Sequence, residues 1–236
     1  MKKSLLFVVA LMLTLSLLGC ESIEYYETNQ FNLLVFNENI SIVGYKEGYY
    51  SEDLVIDEIV TYYNTRTNKE ENGYIGSVEE GAFQNINLKT ITINISDNSI
   101  LNDIYDYAFA DNENLISVIL YSTIYSIGNF VFANDTSLEV IDLKNIVYLG
   151  NSVFYNCLKL SEIYLGTEIK KIGDNAFENC DDDLVIYIDN PIPPKIGENA
   201  LKGVDSFRIM VPQAYLEIYQ SSDGWSSYAS NIYPQV

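Results

Sequence analysis

Histidine is absent from this chain of 236 residues, and only three cysteines and five prolines occur in it. Because histidine is the commonest general base and the commonest metal ligand, its absence removes the usual routes to catalysis and metal binding. The sequence also has no Gly-x-Ser-x-Gly turn, no glycine-rich phosphate loop and no Cys-x-x-Cys pair. We therefore predict that the protein is not an enzyme and that it uses no metal and no cofactor.

Basic residues are scarce as well. The chain has 13 lysines and arginines against 33 acidic residues, which gives a formal net charge of −20. Nucleic acid and anionic lipid surfaces are poor partners for such a chain, since both repel negative charge. The acidic run of Asp181, Asp182 and Asp183 lacks the alternating spacing and the glycine of a calcium loop, so we interpret it as a solvated turn.

An internal repeat fills most of the chain. Each copy has one anchor position, and the anchors follow one another at intervals of 22 to 26 residues. The anchors are Phe83, Phe109, Phe132, Phe154, Phe177 and Leu201. Alanine or valine precedes every anchor, and an aliphatic residue stands five positions before it: Val78, Ile104, Ile127, Leu149, Ile172 and Ile196. Further along, each copy has an alternating strand with two aliphatic residues: Ile91 and Ile93, Val118 and Leu120, Ile141 and Leu143, Ile163 and Leu165, Ile186 and Ile188.

A unit of about 23 residues cannot bury its own apolar face, so like positions of successive units must stack into one continuous core. The alternating strands then lie side by side and form a parallel sheet, with two side chains of each strand inward and one outward. The repeat therefore predicts a solenoid of stacked coils.

Two stretches resemble the BspA-type leucine-rich repeat closely: the sequence IGDNAFENC at 172–180 and the sequence LGNSVFYNCLKLSEIYL at 149–165. This resemblance implies a leucine-rich repeat solenoid that is β-rich with short helical turns. It further implies six to seven right-handed coils on a parallel sheet, with strands before them and a C-terminal cap after them. Members of the family are often associated with adhesion at the bacterial surface.

The N-terminus is typical of an exported protein. Lys2 and Lys3 precede an apolar stretch that is too short to cross a bilayer comfortably, and the ending LLGC at 17–20 resembles the bacterial lipobox. We predict a signal peptide at 1–19, a lipidated Cys20 followed by a tether at 20–37, and attachment to the outer face of the bacterial cell membrane. An ordinary secreted protein and an uncleaved membrane anchor are the alternatives.

The remaining boundaries follow from the repeat. We predict an N-terminal capping region at 38–74 with a loop at 64–72, leucine-rich repeats at 75–206, and a closing strand with a C-terminal cap at 207–236. Cys157 and Cys180 lie one coil apart, three residues after their anchors. Their stacked position predicts two buried thiols. A disulfide between the two coils remains an alternative, because exported proteins form such bonds.

One residue of each strand points outward by alternation, and these residues form our candidate binding face. They are Thr92, Ile119, Asp142, Tyr164, Tyr187 and, in the closing strand, Met210. Four of the six are apolar or aromatic, and tyrosine and methionine are favoured contact residues. The preference of strands for tyrosine and isoleucine is an equally good explanation of the pattern.

Two classes of function fit these observations. The first is a non-catalytic cell-surface lipoprotein that mediates protein–protein interaction or adhesion. The alternative is a surface lipoprotein that binds a glycan or a small solute, with stacked tyrosines as platforms for sugar rings; a purely structural role in the envelope is a third reading. A solenoid with a filled core has no obvious cleft, so we favour protein binding. The expected partners are the membrane, through the lipid, and an external protein or a glycan.

Overall fold

The computed structural model of the protein describes residues 24–36, 39–95, 101–121 and 124–235, with the backbone alone for Phe36 and Leu101. The predicted signal peptide and Cys20 lie outside the described residues. The strands are β1 (Glu24–Glu27), β2 (Phe31–Phe36), β3 (Asn39–Tyr45), β4 (Asp53–Asp57), β5 (Ile59–Asn64), β6 (Lys69–Val78), β7 (Thr90–Asn94), β8 (Leu101–Ile104), β9 (Ser117–Leu120), β10 (Ile124–Ile127), β11 (Val140–Leu143), β12 (Ile146–Leu149), β13 (Glu162–Leu165), β14 (Lys171–Ile172), β15 (Val185–Ile188), β16 (Lys195–Ile196), β17 (Arg208–Pro212) and β18 (Ile232–Gln235). One α-helix, α1 (Leu216–Ser221), and two 3₁₀ segments at Gln213–Tyr215 and Ser226–Asn231 complete the elements that the described residues form.

The coils stack as the repeat predicts, with strands on two of their sides. A ten-stranded sheet has the order β1-β2-β3-β6-β8-β10-β12-β14-β16, and β5 pairs with β6. Its seven strands from β3 to β16 are parallel and belong to successive coils. A second side has two shorter sheets, β4-β7-β9 and β11-β13-β15-β17-β18. The chain is therefore a leucine-rich repeat solenoid of about seven turns.

The anchor aromatics form the centre of the core. Phe83, Phe109, Phe132, Phe154 and Phe177 are fully buried, and Leu201 ends their column with 4% exposure. Successive rings stack nearly parallel, with centroids 5.6 to 5.9 Å apart. This confirms the predicted spacing of the repeat, because an error in register would have turned these rings toward solvent.

The turns that hold the anchors are bonded from coil to coil. The N–H of each anchor phenylalanine donates to a carbonyl of the next coil; Phe132, for example, donates to Val153 over 3.0 Å. Glycine is required where the chain approaches the preceding coil. A Cβ on Gly173 would lie 2.3 Å from the carbonyl oxygen of Gly150, and one on Gly150 would lie 2.6 Å from the backbone of Gly128. The backbone polar groups of these turns are thus satisfied inside the stack.

The N-terminal region differs from the prediction. Part of the segment predicted as a tether forms the antiparallel pair β1–β2, which joins the long sheet through β3. Tyr26 and Leu33 are buried against the core, and Leu34 packs with Val43 in a second small cluster. The Thr28 hydroxyl accepts a hydrogen bond from the N–H of Phe31 over 2.8 Å. The predicted loop at 64–72 is also wrong, because β5 and β6 pair through most of it around a turn at 65–68.

The C-terminal part closes the core. Tyr219 and Trp225 are buried and meet edge to face, with ring centroids 5.2 Å apart. The Tyr219 hydroxyl donates to the Asn190 carbonyl over 2.9 Å, and the Trp225 indole N–H donates to the Pro194 carbonyl over 2.7 Å. These bonds tie the cap to the last coil. In the described part of the chain, no helix is long and apolar enough to span a membrane.

Candidate binding face

The outward residues of the shorter sheets fall into two separate columns. In the sheet of five strands, register pairs connect Asp142, Tyr164, Tyr187, Met210 and Tyr233, and we call this set the tyrosine column. In the sheet of three strands, Val55, Thr92 and Ile119 form the second column. Strands β9 and β11 lie next to each other but share no hydrogen-bonded ladder. The six predicted residues are therefore divided between two sheets, and four of them lie in the tyrosine column.

Two residues of these columns were missed by the sequence analysis. Tyr233 is 43% exposed and extends the tyrosine column, because β18 pairs in parallel with the closing strand β17. Its strand lies after the cap helix and carries no repeat signal. Val55 is 44% exposed and lies between Leu54 and Ile56, which are both fully buried. That alternation is the signal that could have identified Val55.

The centre of the tyrosine column is a pair of stacked rings. The centroids of Tyr164 and Tyr187 are 4.6 Å apart, and their planes differ by 5°. The Tyr164 hydroxyl donates to a carboxylate oxygen of Glu162 over 2.6 Å. This hydrogen bond, together with partial burial and the negative charge of Glu162, raises the pKa of Tyr164 to about 12. Tyr164 is therefore neutral and held in one orientation at physiological pH.

The N-terminal end of the tyrosine column is charged. Lys144 lies over the Tyr164 ring, with Nζ 5.0 Å from the ring centroid, and forms an ion pair of 3.4 Å with Asp142. Lys144 belongs to the coil before Tyr164 and Tyr187 to the coil after it. The two faces of the Tyr164 ring are thus occupied, by an ammonium group on one side and by the Tyr187 ring on the other. An ion pair this exposed adds little stability.

Two surface depressions lie near the columns, and both are small. One, of about 190 Å³, is lined by residues on both sides of the break between β9 and β11, among them Leu120, Asp142 and Leu143. The other, of about 260 Å³, lies between the β1–β2 turn and strands β4 and β5. Sites for small ligands usually have volumes of about 300 Å³ or more. Neither depression offers the enclosure that a dedicated solute site needs.

The two cysteines of the repeat are structural. Cys157 and Cys180 are free and buried, which agrees with the predicted pair of thiols. Each thiol donates to the carbonyl of an anchor in the preceding coil: Cys157 to Phe132 over 3.0 Å and Cys180 to Phe154 over 3.2 Å. Burial raises the pKa of both thiols, so they are unreactive. No cluster of metal-ligating side chains occurs among the residues that the structure describes.

The sequence matches a known family over much of its length. The family model described as "BspA type Leucine rich repeat region" matches six copies over residues 60–184, which is more than half of the chain. The chain belongs to this family. The match begins at residue 60, within β5, which is earlier than residue 75, where we placed the start of the repeats.

Solved structures of bacterial leucine-rich repeat proteins have the same fold. A leucine rich cell surface protein from Faecalibacterium prausnitzii superposes with a TM-score of 0.60 at 16% identity, over 81% of this chain and 55% of that one. The pneumococcal vaccine antigen PcpA also gives 0.60 at 16% identity, over 81% and 51%. The leucine rich repeat protein TpLRR of T. pallidum gives 0.52 at 15% identity, over 83% and 94%.

At these identities the likeness shows the fold alone. The chain spans about half of the length of the first and second of these proteins. No curated protein matches the sequence significantly. Proteins of this leucine-rich repeat family are generally binding scaffolds rather than enzymes. Family and fold are consistent with a surface-exposed protein that interacts with other proteins.

Proposed function

We propose that this family member is a non-catalytic cell-surface lipoprotein that binds an external protein through the tyrosine column. The observation that carries the proposal is the alignment of Tyr164, Tyr187, Met210 and Tyr233 on successive paired strands of one sheet. Tyrosine and methionine are enriched at protein interfaces, where they bury large areas with few rotatable bonds. A sheet without a partner would gain solubility from polar residues at these positions.

The geometry of the ring pair supports a protein partner over a glycan. A sugar ring packs on an open aromatic face, and both faces of the Tyr164 ring are already covered, by Tyr187 and by Lys144. What the pair offers is a rigid edge with one hydroxyl fixed by Glu162. Such an edge suits a broad, shallow contact with another protein, and the small volume of the neighbouring depression favours the same reading.

Photo-crosslinking on the cell surface tests the site directly. A photoreactive phenylalanine analogue placed at Tyr187 should crosslink to a host or matrix protein, which mass spectrometry identifies. The matched control is the same analogue at Tyr74, which is 59% exposed on a strand of the N-terminal hairpin. A partner captured equally from both positions, or from neither, would contradict the proposal.

Affinity for the captured protein then tests the role of the rings. Tyr164→Ser and Tyr187→Ser should each weaken binding, whereas Tyr74→Ser should not. Unchanged affinity in both column variants, with the fold intact, would move the site elsewhere on the solenoid.

The lipid attachment is tested separately at Cys20. If a lipid is attached there, the wild-type protein should enter the detergent phase in a phase-partition experiment. Cys20→Ala should instead release the protein into the medium or leave an uncleaved precursor. The two or three acyl chains of a bacterial lipoprotein are needed for durable attachment, since one chain alone holds a protein only marginally. A wild-type protein found wholly in the aqueous phase would rule lipidation out.

A further inference from the structure

The ten-stranded sheet ends in strands β14 and β16, where three lysines lie close together. Lys171 on β14 lies directly opposite Lys195 on β16, and Lys170 precedes Lys171 in the chain. All three side chains are exposed. Like charges at opposite positions of neighbouring strands destabilise a sheet. We call Lys170, Lys171 and Lys195 the lysine patch.

The lysine patch is not neutralised by the protein's own carboxylates. Five of the eight other basic residues of the described chain form ion pairs with aspartate or glutamate: Lys46, Arg66, Lys89, Lys144 and Lys202. None of the three patch lysines has such a partner within the part of the chain that the structure describes. In a sequence with 33 acidic residues, a carboxylate could readily have occupied one of these positions. Like charges that face each other on neighbouring strands, with no carboxylate to compensate them, are typical of a functional site.

The surroundings of the lysine patch add aromatic surface. Tyr148 on β12 is the register partner of Lys171, so the ring lies one strand from the ammonium groups. Tyr125 on β10 meets the Tyr148 ring edge to face, with centroids 5.2 Å apart, and is 50% exposed. Cationic groups next to partly exposed tyrosines offer both charge and hydrogen-bonding hydroxyls to a ligand. The arrangement lies on the long sheet and is separate from the tyrosine column.

We propose that the lysine patch binds an anionic glycan, through its sulfate or carboxylate groups. Neighbouring strands are about 5 Å apart, so the ammonium groups of Lys171 and Lys195 can converge on one oxyanion. The net charge of −20 repels polyanions at long range, but at physiological ionic strength this repulsion is screened beyond about 8 Å. Among polyanions, a glycan is the class that a surface-exposed protein meets in cell envelopes and matrices.

The test uses the purified protein with three glycans: heparin, polygalacturonate and neutral dextran. We expect binding of heparin or polygalacturonate that weakens as salt is added, and no binding of dextran. The double variant Lys171→Gln/Lys195→Gln should bind about tenfold more weakly, which corresponds to about 1.4 kcal/mol. The matched control is Lys69→Gln/Lys159→Gln, which removes the same charge from two exposed lysines that form no ion pair within the described residues and should change affinity less than about twofold.

A stability measurement separates loss of the ligand site from loss of the fold. Without glycan, the Lys171→Gln/Lys195→Gln variant should melt about 1 to 2 °C higher than the wild type, because the repulsion between the two strands is removed. Weaker binding together with higher stability cannot come from misfolding. Equal loss of affinity in the control variant, binding of dextran, or tighter binding of single-stranded DNA of equal charge would each overturn the proposal.

Discussion

The repeat builds an inner and an outer aromatic ladder, and the two differ in burial. The inner ladder consists of five phenylalanines that are fully buried, with ring centroids 5.6 to 5.9 Å apart. The outer ladder consists of Tyr164 and Tyr187, which stack more closely, at 4.6 Å, on a face open to solvent. Stacking alone therefore does not reveal what a ladder does. What differs is how much surface each ring removes from water on folding, and that quantity determines stability.

The largest expected effect is the loss of an inner ring. Phe132 is fully buried between Phe109 and Phe154, so Phe132→Ala should lower the free energy of unfolding by about 3 to 5 kcal/mol. Urea unfolding followed by circular dichroism measures the change. The matched substitution on the outer ladder is Tyr187→Ala. Equal losses in the two variants would mean that both ladders contribute equally to the free energy of unfolding, which would contradict the difference in stability that we derive from burial.

A second buried column lies three residues after each anchor, and several of its side chains are polar. These positions require hydrogen-bond partners as well as volume. In this column Asn112 donates through Nδ2 to the Phe83 carbonyl over 3.0 Å, and the thiols of Cys157 and Cys180 likewise donate to the anchor carbonyl of the preceding coil. Asp135 is fully buried at the same position. Its Oδ1 accepts from the N–H of Asn112 over 2.8 Å, and its Oδ2 has no hydrogen-bond partner. An ionised carboxylate has no proton to donate to a carbonyl.

Burial, with a further contribution from the negative charge of Asp111, raises the pKa of Asp135 well above its ordinary value of 3.8. The folded protein therefore favours the protonated acid, and the thiol of Cys157 in the next coil provides no countercharge. Stability from this group is fully present below pH 3.8 and is lost as the pH rises through the raised pKa of the folded state. Burial of the Asp135 carboxyl group in this column therefore lowers the stability of the folded protein at neutral pH.

We predict that Asp135→Asn stabilises the protein by about 1 to 3 kcal/mol at neutral pH, because the amide can donate to the Phe109 carbonyl as Asn112 does to Phe83. The gain over wild type should grow as the pH is raised above 3.8 and then level off. Thermal unfolding at a series of pH values measures it. The reverse change, Asn112→Asp, should introduce the same pH-dependent loss. A gain that is constant with pH would show that ionisation of Asp135 is not the cause.

The inner ladder could be predicted from the sequence because every coil repeats it. Spacing alone placed Phe109, Phe132 and Phe154 in one buried column, since each coil must present the same side chain to its neighbours. The pair β1–β2 could not be found in this way, because it is antiparallel and lies outside the repeat. The absence of a hydrogen-bonded ladder between β9 and β11 could not be predicted for a different reason. Hydrogen bonding between coils depends on how two strands approach each other, and the alternation of residues within one strand does not report on that approach.

The outer ladder was only partly predictable for the same reason. Alternation identified Tyr164, Tyr187 and Met210 as outward residues, but it treated Thr92 and Ile119 as members of one row, whereas the structure places them on another sheet. Tyr233 belongs to the row only because β18 returns beside β17 after the cap helix. Membership of an exposed face is a property of strand pairing, and a repeat reports on pairing only within its own copies.

The smallest expected effect is the loss of one ring from the outer ladder. Stacked aromatic pairs contribute about 0.5 to 1.5 kcal/mol beyond the area they bury. Tyr164→Ser and Tyr187→Ser should therefore each lower the free energy of unfolding by about 1 kcal/mol, and the double variant by less than the sum of the two, because either substitution alone already removes the stack. Urea unfolding of the four proteins measures this coupling.

The same four proteins decide which property the outer ladder serves. If the ladder is a binding surface, affinity for the crosslinked partner should fall more steeply across the series than stability does, and Tyr74→Ser should change neither. If a single tyrosine variant instead lost several kcal/mol of stability, comparable with Phe132→Ala, the outer rings would be part of the core in energetic terms. Their alignment would then be explained by stability alone, and this result would contradict the proposal that the tyrosine column binds a partner.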